Sequence, residues 1–162
     1  MSNPLTIEAR GELEIVITRA FGAPRRLVFD AWTKPELIQQ WLGVRGGWTM
    51  PVCEVDLRVG GSYRFEWEKG DQRMVMTGEF VELDPPGRMV TTERFEDPWY
   101  PGVGLNTYVL EERADATTCM ITTRYETKEI RDGVLASPME TGLQESYARL
   151  DENLVEIMSH ES

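Results

Sequence analysis

The chain has 162 residues, a formal net charge of −11, 41% hydrophobic and 28% charged residues. This length suits one domain over 1–162, with a core over 12–158. So acidic a chain lacks the basic footprint of a phosphate-backbone binder and repels anionic membranes, so neither a nucleic-acid partner nor membrane insertion is expected. Cys53 and Cys119 are too few for a disulfide scaffold or a zinc site of standard spacing, and both are expected as buried free thiols. The opening "MSNPLTIEARGE" has no charged-then-apolar leader pattern. No apolar run approaches the ~18 residues of a membrane span, so a cytoplasmic location is expected.

In chain order, "ELEIVITRAF" (12–21) alternates as a strand with Leu13, Ile15 and Ile17 on one side. Pro24 then opens a short helix whose residues Leu27, Val28, Ala31 and Trp32 share a face. Thr33-Lys34-Pro35-Glu36 has the capping-box form and predicts a second short helix carrying Leu37, Ile38, Trp41 and Leu42. Gly43, Gly46 and Gly47 end it.

Six strands are predicted next, near 48–57, 62–68, 74–83, 88–95, 105–112 and 117–125. Gly60-Gly61, Gly70-Asp71, Asp84-Pro85-Pro86-Gly87 and Ala114-Asp115-Ala116 break them, and connections this short imply an antiparallel meander. Within the second of these strands, "SYRFEW" places Tyr63, Phe65 and Trp67 on one face, with Arg64 and Glu66 on the other. "EDPWYPGVG" is read as an irregular loop holding two exposed or half-buried aromatics, Trp99 and Tyr100. Ser137-Pro138-Met139-Glu140 repeats the capping-box form before the longest helix, whose stripe is Met139, Leu143, Tyr147, Leu150, Leu154 and Ile157. The resulting fold class is α+β, with a curved antiparallel sheet of about seven strands wrapped around the final helix.

The stretches "FDAWTKPELIQQWL", "DLRVGGSYRFEW", "GEFVELDPPGRMVTTERFED", "TTCMITTRYE" and "SPMETGLQESYARLDENL" follow one another from Ile15 to Val155. In that order they resemble the START-like (SRPBCC) superfamily with its helix-grip fold. More narrowly, they resemble bacterial single-domain proteins related to the activator of heat-shock protein 90 ATPase. The resemblance implies a cavity between the curved sheet and the final helix, closed at one end by the two short helices.

That cavity sets the candidate ligand-lining residues: Trp41, Tyr63, Phe65, Trp67, Met76, Glu93, Arg124, Met139, Leu143 and Tyr147. Aromatic walls suit a flat apolar ligand, and methionines suit varied shapes. The competing reading is plain core, with the three rings packed directly on Met139, Leu143 and Tyr147, and with Trp32 and Trp41 as core of their helices. Glu93 and Arg94 are neighbours on one strand, as are Arg124 and Tyr125 on another, so each pair turns one member inward. Which member faces in stays open at this level. An inward Glu93 or Arg124 needs a partner and could orient a polar ligand group or transfer a proton.

His160 is the only histidine and lies at a fraying helix end, so no Ser-His-Asp or Cys-His arrangement exists. No metal-ligand spacing or phosphate-cradling motif is present, and neither cofactor nor metal is expected. Arg131-Asp132 reads as a structural charge pair. Binding of a small hydrophobic or amphipathic molecule is the leading expectation. A co-chaperone-like module acting on a heat-shock protein 90 homologue is a second, although the eukaryotic activators carry an additional amino-terminal domain without counterpart in these 162 residues. An enzyme of cyclase or hydratase type is a third, resting on Glu93, Arg124, Tyr125 or Tyr63, and a binder is expected ahead of an enzyme. A homodimer formed through a sheet edge or the loop near Trp99 is also expected.

Overall fold

Alternating apolar and polar residues build a sheet with one buried face, seen most directly in the strand Ser62–Lys69. Tyr63, Phe65 and Trp67 are all buried there, whereas Arg64 and Glu66 face outward in an ion-pair chain with Arg73 and Glu96. The computed structural model describes residues 4–96 and 100–161. Trp99, named for one of the two expected pairing surfaces, lies outside the described residues, whereas the sheet edges β1 and β3 lie within them.

In chain order the elements are β1 (Thr6–Arg10), β2 (Glu14–Phe21), α1 (Arg25–Thr33), α2 (Pro35–Ile38), β3 (Thr49–Val55), β4 (Ser62–Lys69) and β5 (Gln72–Asp84). They continue with β6 (Arg88–Phe95), β7 (Gly104–Arg113), β8 (Ala116–Arg124), α3 (Lys128–Ala136) and α4 (Met139–Glu161). All eight strands form one antiparallel sheet in the order β1-β2-β8-β7-β6-β5-β4-β3. Register shifts in β3 between Thr49 and Val52, and in β5 between Phe80 and Glu82, mark irregularities of the kind that bend strands.

The sheet has one strand more than the seven predicted. β1 holds a single half-buried Ile7 among exposed residues, so its sequence carries almost no period-two signal; it forms by pairing with β2 across a turn at Gly11, where φ is +60°. Helix α3 was also absent from the sequence reading. Thr127 caps it by accepting from the Ile130 amide at 3.1 Å.

Both predicted capping boxes are corrected for one reason: each hydroxyl bonds back to the helix before it. Thr33 Oγ1 donates to the Phe29 carbonyl at 2.8 Å, and Ser137 Oγ to the Val134 carbonyl. Hydroxyls at a helix end reach the last free carbonyls as readily as the next helix's amides. The Arg131-Asp132 pair is structural, as read: Arg131 is buried, donates to Asp132 and holds the carbonyls of Gly11 and Glu14, each at 3.0 Å.

Helix α4 is packed unevenly. Its second half is fully engaged, with Leu150 at 0% and Leu154 at 2% exposure in a core shared with Phe21, Val28 and Trp41. Arg19 on β2 donates twice to Asp151, at 2.7 Å each, and its guanidinium lies 4.8 Å from the Phe21 ring centroid. This bidentate pair locks the helix over one end of the sheet. At the start of α4, by contrast, Met139 and Leu143 border a cavity, while Ser146 and Tyr147 are already buried.

Candidate functional site

A cavity of about 470 Å³ lies between the first half of α4 and the inner faces of β4 to β8. Its apolar wall follows from strand register. Tyr63 pairs with Gly78, Phe65 with Met76, and Trp67 with Met74, so rings and methionines share one face. Met139, Leu143 and Tyr147 supply the opposite wall, and Trp32 and Trp41 close the end under α1 and α2. Trp41 is held by its indole N–H, which donates to the Ala31 carbonyl at 3.0 Å.

The opposite end is polar, because the inner faces of β6, β7 and β8 carry Glu93, Asn106 and Thr123 there, with Asn106 directly across from Thr123. Thr123 Oγ1 donates to Asn106 Oδ1 at 2.7 Å, which leaves the Asn106 amide nitrogen to donate to Glu93 Oε1 at 3.1 Å. Tyr100 donates to Glu93 Oε2 at 2.6 Å. Gly104 lies directly across from Glu93 in the ladder, and a side chain there would collide with the Tyr100 hydroxyl, 2.8 Å from an ideal Cβ. Glycine therefore leaves the gap through which the phenol reaches the carboxylate.

No cation forms an ion pair with Glu93 among the described residues. Burial pushes its carboxyl above the ordinary value of 4.5, against the two hydrogen bonds that pull it down. Burial first, and then the Glu93 charge, raise the phenols of Tyr63, Tyr100, Tyr108 and Tyr125, which stay neutral throughout the physiological range.

A stability prediction follows. The native state holds the Glu93 proton to higher pH than the unfolded chain does, so between the two values it binds more protons and stability falls as pH rises. Below the unfolded value near 4.5 this dependence vanishes. Glu93→Gln should therefore raise the Tm relative to wild type at about pH 8 and lose that advantage near pH 4. Melting curves across the range check it, and a difference independent of pH would contradict it.

Nine of the ten predicted lining residues border the cavity: Trp41, Tyr63, Phe65, Trp67, Met76, Glu93, Met139, Leu143 and Tyr147. Arg124 does not. Thr117, Cys119, Ile121, Thr123 and Tyr125 take the inward positions at period two, so Arg124 points to solvent. The open parity on β6 resolves with Glu93 inward and Arg94 exposed.

Tyr100, expected to be exposed or half-buried, is buried at 4% because its ring packs edge-on against Phe95 and Tyr125. With Asn106 and Thr123 it is the part of the polar end that sequence reasoning missed. Cys119 is buried as expected, but Cys53 on the edge strand β3 is only partly so, and burial still pushes its thiol up to about 12. Such a thiol is a poor nucleophile.

The family model described as activator of Hsp90 ATPase homolog 1-like protein matches residues 22–155. The chain belongs to this family. Among solved structures, a Rhodobacter sphaeroides protein is 30% identical, with a TM-score of 0.87 over 93% of this chain and 97% of that one. A Mycobacterium smegmatis protein matches at 22% identity and TM-score 0.80, covering 93% and 97%. An HSP90 activator from Plasmodium falciparum shares the fold at 22% identity and TM-score 0.64, covering 88% and 96%. No curated protein matches the sequence significantly. The helix-grip architecture of this family member is the one its motifs implied. No helix among the described residues is long and apolar enough to cross a membrane.

Proposed function

We propose that this family member binds a small, largely apolar molecule between α4 and the sheet. One observation carries the reading: the stripe of α4 that meets a solid core at Leu150 and Leu154 borders a cavity of about 470 Å³ at Met139 and Leu143. Apolar cavities of about 300–1,000 Å³ with a few convergent polar groups are typical small-molecule sites. A volume this large, lined by rings and thioethers, is costly to leave unfilled.

The test is titration with a neutral apolar dye such as N-phenyl-1-naphthylamine, alongside native mass spectrometry of protein isolated from cells. Wild type is expected to take up one equivalent with a Kd near the micromolar range, about −8 kcal/mol. Met76→Trp, which fills the space beside Phe65, should weaken uptake at least about tenfold while the protein stays folded. If dye binding is absent, or is indifferent to Met76→Trp, the reading is wrong.

The family description and the Plasmodium structure favour a second reading, a protein-interaction role toward a heat-shock protein 90 homologue. It requires a change in that chaperone's ATPase rate when this chain is added. Self-association through a sheet edge is a further proposal, decided by sedimentation equilibrium.

A further inference from the structure

We propose that the cavity selects a ligand whose apolar body carries a single ammonium group, with the ammonium seated against Glu93. This rests on the binding reading above and specifies the chemistry of its polar end. Both Glu93 oxygens accept hydrogen bonds from neutral donors, Tyr100 and Asn106, at 2.6 and 3.1 Å. That arrangement suits an ionised carboxylate, which is acceptor-only, and Thr123 fixes the Asn106 amide in the donating orientation. Neutral donors solvate the charge without cancelling it, and a half-buried anion lacking a counter-ion is held at a cost that an arriving cation removes.

The surrounding groups point the same way. Among the described residues, the titratable side chains around the polar end on β4, β7, β8 and the β6–β7 connection are the phenols of Tyr63, Tyr108, Tyr125 and Tyr100, none of which competes as a cation. The rings of Tyr63, Tyr108 and Tyr125 line the cavity with those of Phe65 and Phe95, and aromatic surroundings favour a cation over a neutral group. Arg45, the one basic residue lining the cavity among the described residues, has a side chain 42% exposed and pairs with Glu145 at 3.8 Å, which places it at the rim. The net charge of −11 raises the local concentration of cations outside.

Three probes sharing one flat body separate the alternatives: 2-(2-naphthyl)ethylamine, 2-(2-naphthyl)ethanol and 2-naphthylacetate, titrated calorimetrically into wild type at neutral pH. The amine is expected to bind at least about tenfold more tightly than the alcohol, with the acid weakest. Glu93→Gln should weaken the amine more than the alcohol and bring the two to within about threefold. The preference within wild type needs no variant, so it decides even if Glu93→Gln fails to fold. Equal binding of amine and alcohol would overturn the proposal but leave the cavity reading intact. So would tightest binding of the acid, which would place the polar head at Arg45. Failure of all three probes together with the neutral dye would instead remove the cavity reading itself.

Discussion

Leu150→Ala is expected to destabilise the protein by about 3–5 kcal/mol, the range for truncating a fully buried leucine whose surroundings cannot collapse. Leu150 is 0% exposed at the centre of the main core, between α4, the short helices and β2. At about 2–4 °C per kcal/mol for a chain of this length, the melting point should drop by roughly 10 °C. Leu143 lies two turns earlier on the same stripe, half-buried against the cavity. Leu143→Ala should cost only about 1 kcal/mol, because its side chain already lacks neighbours on one side. Paired thermal melts of the two variants measure how unevenly the helix is gripped. Similar losses would mean that the first half of α4 is packed as tightly as the second.

Gly78→Ala is the second large effect. Gly78 faces inward on β5 opposite Tyr63, and a methyl there would overlap the Thr92 carbonyl oxygen and the Tyr63 ring. The Tyr63 hydroxyl donates to that same carbonyl across the glycine. Since the carbonyl belongs to the backbone of β6, it cannot swing aside as a flexible side chain would. The variant is expected to lose about 3 kcal/mol or more and to expel the Tyr63 ring into the cavity. Denaturant unfolding measures the first, and loss of dye uptake the second. A stable variant that binds dye normally would show that β5 and β6 yield at this point.

What could be read from the chain divides along a physical line. Period-two and period-3.6 patterns announced seven of the strands and the long helix because one face of each element is buried. Tyr63, Phe65 and Trp67 were placed correctly by the same rule. The facing of Glu93 stays open in the sequence, because β6 buries Met89, Val90 and Thr91 in succession and so blurs the alternation. Among the residues that share its parity, Met89 and Phe95 are the apolar ones, and Thr91 between them is polar yet buried. On β8, Cys119 and Ile121 set the inward parity, but Met120 between them looks equally apolar and is 40% exposed. Tyr100 was beyond reach of any periodic argument. It comes from a Pro- and Gly-rich connection, and its burial depends on the missing side chain of Gly104, which joins the site only through strand register. β1 is set by its partner strand and α3 by a single threonine cap, so both are weak in local pattern.

The segment between α2 and β3 is stitched to its surroundings at successive points. Arg149 Nε donates to the Gln40 carbonyl at 2.7 Å, the Trp67 indole to the Leu42 carbonyl at 2.9 Å, and the Gly43 amide to Ser146 Oγ at 3.2 Å. At Gly43, with φ at +70°, the indole nitrogen comes within 2.6 Å of where a Cβ would stand, so the chain can run this close only as glycine. A guest passing this way would have to unfasten all three clasps together. Its dwell time would then be timed by the breathing of this stretch rather than by how fast molecules diffuse to it, and Trp67 would report each opening as a change in its emission.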